Sequence, residues 1–528
     1  MLLSKKPNLQ LQLITIVIVT FVYYYGTINN FFYGDDFIWL DRVRHLNGNW
    51  GHIFTVENRY FTPLTYISFF VNYKLFGLHA FWYHLHDVIF HSLNGLLLYC
   101  LAYQISKNRL TAFLAAITFV TSFSIIITVI WPSARTDLMM VTFSIATLIM
   151  FIRSSNNYKY VSIALYILAL SAKGTALVIP FILFSLTSNT KPLRYRVGEI
   201  LPYIAINFTY VALLIMSSFI GSAKVIPKHN VVSLSNFVKS LPTLIIPERL
   251  LAQSDMYVLV TISVTVLIIL FVINIKLKDI TLRIGTSLTV LGLLPIFFTN
   301  DYTLAGNNAS ALNLLGSPSN RVYLACAGIS IVFAVIAEKA LNNNLYASFR
   351  IASVILLTSL LYVNYHEVGL RNKIWSTGTN NAKYSMLLLD KYSSMLTEGS
   401  VLLLFNFEGS TGFVNGMINS AYDLKKIEVH SIFYRNIDEM TNVDLSPLKN
   451  TVFANNAANV KLIMKCSGAP YEQFLTQYGN LTLQDILSDY RTLFKTATAA
   501  EEVPIRDRLI NSMLEFRKIL DKCELAGA

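Results

Sequence analysis

Apolar runs long enough to cross a lipid bilayer recur along this chain of 528 residues. A bilayer core of about 30 Å requires about 20 mostly apolar residues per helix. Such runs occupy residues 11–30, 84–105, 110–130, 137–152, 159–172, 175–188, 199–219, 256–275, 284–299, 322–338 and 351–366. Only 14% of the residues are charged, whereas soluble proteins contain about 25%. The sequence therefore predicts an α-helical polytopic membrane protein with about 11 transmembrane helices, and it excludes secreted disulfide scaffolds, disordered tails and compact cytosolic enzymes.

The excess of basic residues is explained by membrane topology. The chain contains 42 Lys and Arg against 30 Asp and Glu. If the N-terminus is cytoplasmic, every short inside connection carries at least two bases: Lys107/Arg109, Arg153/Lys159, Lys191/Arg194/Arg196, Lys276/Lys278/Arg283 and Lys339/Arg350. Cytoplasmic loops of membrane proteins show this bias. We therefore predict no nucleic-acid binding and, in a bacterium, an inner-membrane location.

The same membrane topology places the long connections between the apolar runs on the outer side of the membrane. We predict a transmembrane domain at 1–366, whose first outer loop spans 31–83, and a periplasmic C-terminal domain at 367–528. In that domain, Ser400–Phe407 and Lys426–His430 read as strands, and Thr476–Leu493 and Ile505–Cys523 read as helices. A small α/β domain follows, which either recognises an acceptor or stabilises the bundle.

Two cysteines of the C-terminal domain leave one question open. Cys466 and Cys523 both lie in the predicted periplasmic portion. Disulfides are permitted in that compartment. The sequence gives no distance between them, so a bridge and two free thiols are equally compatible with it.

An acidic pair follows the first apolar run immediately. Asp35 and Asp36 lie among Phe and Trp residues, which favour the membrane interface. A solvated loop or a helix cap is the simplest interpretation of such a pair. Chemically, however, a carboxylate at this position suits a general base that takes a proton from an acceptor hydroxyl.

Four basic side chains on the predicted outer side are candidates for binding the phosphate of a lipid carrier. They are Arg59, Arg135, Lys173 and Arg321. Guanidinium groups bind phosphate in a bidentate manner. Each residue alone would equally well be an interface anchor or an ion-pair partner.

Histidines near the second run raise the question of a metal site. His84 and His91 flank Asp87, with His79 and His86 close by. Hydrogen bonding within the bundle explains them better, because unpaired polar groups are costly in a membrane. We predict no cofactor, and a divalent cation is not favoured.

Several motifs, taken in order, resemble one family. The segments are Arg59–Thr65, Asn72–Leu78, Tyr83–His86, His91–Asn94, Trp131–Leu138, Ser171–Ala176, Ser319–Leu324 and Arg371–Trp375. Together they resemble the GT-C glycosyltransferases, in particular the protein O-mannosyltransferase-like branch that includes the transmembrane-and-tetratricopeptide proteins. The resemblance covers about residues 20–385.

The resemblance implies the GT-C fold and an inverting transfer from a polyprenyl-phosphate-linked sugar on the outer membrane face. It implies Asp35 as base, with Asp36 supporting it or binding acceptor. Arg321 would hold the donor phosphate, assisted by Arg135 or Lys173. Asp87, His84 and Tyr323 are supporting candidates.

The sequence departs from the family pattern in three places. Gly174 stands where the family has Glu, and Ala134 stands where it has Gly. No 34-residue repeat is visible after residue 386, although this branch carries tetratricopeptide repeats. The missing repeats favour a glycan acceptor, such as lipopolysaccharide O-antigen, over a protein hydroxyl.

Two other classes of function compete with an enzyme. A lipid or glycan transporter would show internal repeats with interrupted helices in matched halves, and no such symmetry is visible. A membrane scaffold whose outer domain binds partners is the third reading. The partners predicted for the enzyme are the lipid-linked sugar donor, a glycan or protein hydroxyl acceptor, and membrane lipid.

Overall fold

The structure is a computed structural model of the chain. It describes residues 8–46, 48, 50–56, 61–153, 156–187, 192–220, 233–299, 303–307, 309–342, 347–392, 401–405, 411–421, 428–432, 460–465 and 472–474. The described chain divides into two compact units. One unit holds residues 1–39 and 43–379, and the second holds residues 40–42 and 380–528.

The first unit is helical. Its α-helices, in chain order from α1 to α17, are Leu9–Tyr24, Asp36–Arg44, Pro63–Phe76, Ala80–Ser106, Arg109–Val120, Ile126–Ile130, Arg135–Ile152, Asn156–Ala172, Ile179–Leu186, Leu193–Ile220, Leu234–Ser240, Glu248–Leu251, Met256–Leu277, Ile280–Gly292, Ala311–Leu315, Tyr323–Leu341 and Ala347–Tyr392. Residues 40–42 of α2 and the end of α17 are assigned to the second unit. Every apolar run predicted from the sequence contains a helix.

Eight helical segments of the described chain are long and apolar enough to cross a membrane, and a ninth span results if one bent pair is counted. The bent pair joins Arg109–Val120 to Phe123–Ile130 at an angle of 48°. The predicted runs at 159–172 and 175–188 fall short of this length, since α8 has 17 residues and the second run is the shorter helix Gly174–Leu186. The fold class of an α-helical polytopic membrane protein is confirmed, with fewer full-length helices than the eleven expected.

Polar side chains inside the bundle pair between helices, as they must where water is absent. The Tyr99 hydroxyl donates to Gln12 Oε1 at 2.8 Å, and the Tyr23 hydroxyl donates to the carbonyl of Leu361 at 2.8 Å. These bonds tie the first helix to α4 and to α17.

The predicted first outer loop is largely helical. It contains α2, a short 3₁₀ helix at Trp50–Phe54 and α3. Helix α3 was not expected, and Pro63 at its first position fits the start of a helix.

The second unit contains a four-stranded sheet. Strands β1 Val401–Phe405, β2 Glu428–Ile432, β3 Val460–Lys465 and β4 Glu472–Phe474 are ordered β2-β1-β3-β4. Strand β1 pairs in parallel with both neighbours, and β4 is antiparallel to β3. Helix α18, Thr411–Ala421, connects β1 to β2, as a parallel pair requires. The α/β character and two predicted strands are confirmed.

The remaining predictions for the C-terminal domain fall on other residues. The helices expected at 476–493 and 505–523 lie outside the described residues. Cys466 and Cys523 also lie outside the described residues, so the question of a disulfide between them stays open.

Candidate functional site

The acidic pair lies on a tight turn that leads into α2. Gly34 adopts a left-handed φ of 62°, a conformation that glycine tolerates best. The amide of Phe37 then donates to the carbonyl of Gly34 at 3.2 Å. Asp36 is the first residue of α2, where a carboxylate interacts favourably with the helix dipole.

The two carboxylates have different surroundings. Asp36 is completely buried, and it accepts hydrogen bonds from the amide of Tyr33 at 2.9 Å and from the amide and hydroxyl of Ser133 at 2.7 and 2.5 Å. Asp35, one residue earlier, is partly exposed. The geometry therefore separates a carboxylate that fixes the turn from one that solvent and ligands can reach.

Burial and hydrogen bonding act in opposite directions on Asp36. The three donors favour the carboxylate, but complete burial disfavours charge more strongly and raises the pKa of Asp36 from 3.8 to about 7. Between these two values the folded protein holds a proton that the unfolded chain has lost. Stability contributed by this group is consequently lost as pH rises toward 7.

We expect the Asp36→Asn variant to lose that pH dependence. The thermal midpoint of the wild type in detergent should fall between pH 4 and pH 7 relative to that of the variant, because only the wild type has a carboxyl to ionise at position 36. Thermal unfolding of both proteins across this range measures the difference. Parallel pH profiles for the two proteins would contradict the assignment.

The partner of the acidic turn is the segment that contains Trp131 and Ser133. Trp131 Nε1 donates to the carbonyl of Tyr33 at 3.1 Å, next to the two bonds from Ser133 to Asp36. A 3₁₀ helix at Pro132–Ala134 aims the Ser133 amide at the carboxylate. The sequence pointed to the arginine of this motif and not to Trp131 or Ser133, although the Trp-Pro-Ser segment at 131–133, separated from Arg135 by Ala134, was the available signal.

Arg135 is held inside the bundle. Its side chain has no exposed surface, its Nε lies 2.5 Å from Asp87 Oδ1, and its two terminal nitrogens donate to Ser68 and to the carbonyl of Tyr83 at 3.2 and 3.0 Å. The guanidinium also stacks over Phe69 at 4.7 Å. These contacts favour a structural role for Arg135 and Asp87 over the predicted phosphate contact.

Two other supporting candidates also bond within the bundle. His84 Nε2 lies 3.4 Å from the carbonyl of Phe31, so this ring contacts the aromatic segment before the acidic pair. The hydroxyl of Tyr323 lies 2.6 Å from Nδ1 of His91 and accepts from Asn94 at 3.1 Å. Within the described residues, no group of three or more His, Cys, Asp or Glu side chains could hold a metal ion. The expectation that the protein needs no divalent cation stays a prediction.

Lys173 and Arg321 are the predicted phosphate ligands that retain exposed surface. Lys173 is 16% exposed and pairs with Asp137 on the first turn of α7. Arg321 is partly exposed in the turn after the 3₁₀ helix Pro318–Asn320. The carbonyl of Ser319 in that turn accepts from Thr128 at 3.0 Å. Arg59 lies outside the described residues.

One segment connects these groups. Residues 126–137 contact the Arg321 turn through Thr128, the acidic turn through Trp131 and Ser133, and Lys173 through Asp137. The turn that holds Asp35 and Asp36, the turn that holds Arg321, and Lys173 therefore all contact residues 126–137.

Gly174 lies against the side chain of Tyr210. A Cβ placed on Gly174 would lie 2.8 Å from the Tyr210 hydroxyl. That hydroxyl also donates to the carbonyl of Phe61 at 3.4 Å. The phenol of Tyr210 thus occupies the space that a side chain at position 174 would need.

A second polar cluster was missed as a unit. Arg249 Nε bonds Glu367 Oε1 at 2.6 Å, and Arg371 Nη2 lies 3.7 Å from Glu248 Oε2. Burial raises the pKa of Glu248 to about 7, although Arg371 opposes the rise. The Arg371–Trp375 motif was noted in the sequence, but its partners are distant along the chain.

Comparison with known proteins gives structural similarities alone. No protein-family profile and no curated protein matches the chain. The structure is similar to the Archaeoglobus fulgidus oligosaccharyltransferase tethered with an acceptor peptide containing the NVT sequon, at 10% identity, a TM-score of 0.48 and coverage of 94% of this chain and 71% of that one.

The structure is also similar to ArnT from Cupriavidus metallidurans. The form bound to undecaprenyl phosphate gives a TM-score of 0.41, and the apo form gives 0.45. Both comparisons have 12% identity and cover 86% of this chain and 92% of ArnT. At these scores and identities, no residue role transfers from either protein to this chain.

Proposed function

We propose that this protein is an integral-membrane glycosyltransferase of the GT-C type. It transfers a sugar, with inversion, from a polyprenyl-phosphate carrier to an acceptor hydroxyl on the outer face of the membrane. The acceptor is a bacterial surface glycan such as lipopolysaccharide O-antigen. The observation that carries the proposal is the contrast between buried, triply hydrogen-bonded Asp36 and partly exposed Asp35 on one turn beside the membrane helices.

The proposed reaction assigns each group one task. The Asp35 carboxylate takes the proton of the acceptor hydroxyl, whose oxygen attacks the anomeric carbon of the sugar. The bond from that carbon to the phosphate oxygen breaks, and polyprenyl phosphate leaves with the electron pair. Arg321 and Lys173 stabilise the charge on the leaving phosphate, since cations aimed at developing charge lower the barrier.

Asp36, Ser133 and Trp131 position this chemistry without touching the substrates. Their hydrogen bonds fix the backbone on either side of Asp35. A base held in one geometry avoids much of the entropic cost of aligning it with the acceptor.

The test uses purified protein in lipid nanodiscs with a polyprenyl-phosphate sugar that is radiolabelled on the sugar. If the protein transfers the sugar, we expect the label on the acceptor and an equal amount of released polyprenyl phosphate. Transfer to a Ser/Thr-containing peptide in preference to a glycan would favour protein O-mannosylation. In closed vesicles, movement of intact donor across the bilayer without cleavage would instead support a transporter.

A further inference from the structure

An open pocket of about 440 Å³ lies in the first unit, beside residues 303–307 and 309. Pockets that bind small ligands typically measure about 300–1,000 Å³. This one is lined by Gln253, Thr303, Leu304, Ala305, Gly306, Asn307, Ala309 and Asn313. None of these side chains is charged.

The lining chemistry matches a neutral, hydroxyl-rich ligand. Gln253, Asn307 and Asn313 each carry an amide, which both donates and accepts hydrogen bonds. A sugar hydroxyl does the same. Leu304 offers an apolar contact for the C–H face of a ring. A phosphate or an acidic peptide would require cations, and the described residues of this lining supply none.

A buried ion pair fixes the pocket wall. Glu248 Oε1 accepts from the amide of Ala305 at 2.6 Å, and Arg371 Nη2 donates to the carbonyl of the same residue at 3.0 Å. Glu248 and Arg371 are 6% exposed each. Buried ion pairs add little net stability, but they can specify one geometry. The wall is therefore a rigid feature of the fold.

The same face of α17 contacts both the pocket wall and the acidic turn. One helical turn beyond Arg371, Trp375 packs edge-on against Tyr33 with ring centroids 5.3 Å apart. One turn further, a Cβ on Gly378 would lie 2.3 Å from Ala311 Cβ and 3.3 Å from the Tyr33 ring. Gly378 therefore lies between Ala311, two residues from the pocket-lining Ala309, and the ring of Tyr33, which directly precedes Gly34.

We infer that this pocket binds the neutral glycan acceptor and presents its hydroxyl toward the Asp35 turn. The inference rests on the proposed function and names the substrate class of that site. Gln253 and Asn307 are two amide-bearing contact residues of the pocket, and both are exposed. Asn313 also accepts hydrogen bonds from Ser310 in a helix capping box, so it is not suited to a test.

The experiment measures binding to the full-length protein in nanodiscs. Three fluorescently labelled probes are compared: a neutral hexose oligosaccharide, a uronic-acid oligosaccharide of equal length, and a Ser/Thr-containing peptide. We expect the neutral oligosaccharide to bind most tightly. The Gln253→Ala/Asn307→Ala variant should bind it at least about tenfold more weakly, because two hydrogen bonds are lost. The matched control is Gln10→Ala, which removes an exposed amide that is distant in sequence from the pocket residues.

The outcomes separate this inference from the proposed function. Equal affinity of wild type and double variant for the neutral probe overturns the inference, as does tighter binding of the peptide or of the acidic probe. Amide-dependent binding of the neutral probe supports the inference even if no sugar is transferred, and in that case the proposed function fails alone. In a transferring enzyme, the KM for the neutral acceptor should rise in the double variant by the factor seen in binding.

Discussion

The Asp35→Asn variant is expected to lose sugar transfer by about 10²- to 10⁴-fold while remaining folded. General-base catalysis contributes an effect of that size, and an amide cannot accept the proton of the acceptor. Asp35 is partly exposed, and asparagine has the same size and shape as aspartate, so we expect the variant to remain folded. The measurement is the initial rate of label transfer by purified protein, together with its thermal midpoint.

The matched control for this prediction is Asp255→Asn. Asp255 is an exposed carboxylate at the N-cap of α13, and its side chain makes no capping hydrogen bond. This variant should retain wild-type transfer. If Asp35→Asn keeps a rate within threefold of the wild type, the base lies elsewhere.

Breaking the ion pair between Arg135 and Asp87 is expected to cost about 3–5 kcal/mol of stability, because one charge is left buried without its partner. Neither side chain has exposed surface, and Arg135 Nε lies 2.5 Å from Asp87 Oδ1. The Asp87→Leu variant should therefore unfold at much lower denaturant. Chemical unfolding in detergent micelles measures the loss.

Two further variants test whether this pair is structural. Replacing both residues, as Arg135→Met/Asp87→Leu, should recover most of the lost stability since no unpaired charge remains. The partly exposed pair Lys339–Asp279, at 3.4 Å with 44% and 24% exposure, is the control. Its Lys339→Ala variant should change stability by no more than about 1 kcal/mol. A small effect of Asp87→Leu, with transfer abolished in Arg135→Met, would instead favour phosphate binding by Arg135.

The membrane fold was accessible from the sequence because it depends on local composition. A run such as 256–275 must be helical in a bilayer, whatever its neighbours are, and α13 spans Met256–Leu277. The two short runs were harder, because length alone decides whether a helix crosses, and α8 and Gly174–Leu186 fall below that length. A continuous apolar run similarly identified β1, and alternating apolar residues identified β2.

The site was only partly accessible. The acidic pair is visible as a motif, but the difference between Asp35 and Asp36 arises from Ser133, which is 97 residues away along the chain. The burial of Arg135 depends on Asp87, 48 residues away. Sequence spacing carries no information about such partners, so a buried structural arginine and a phosphate ligand look the same in a motif.

The central claim is that Asp35 faces a sugar whose phosphate is held by exposed cations of this chain. Electron cryomicroscopy of the Asp35→Asn variant in nanodiscs with intact polyprenyl-phosphate sugar tests it most directly, because blocked transfer traps the donor. We predict the donor phosphate in contact with Arg321 or Lys173, and room for one acceptor hydroxyl between the anomeric carbon and residue 35. Donor density that lies away from both cations, with protein filling the space beside residue 35, would contradict the account.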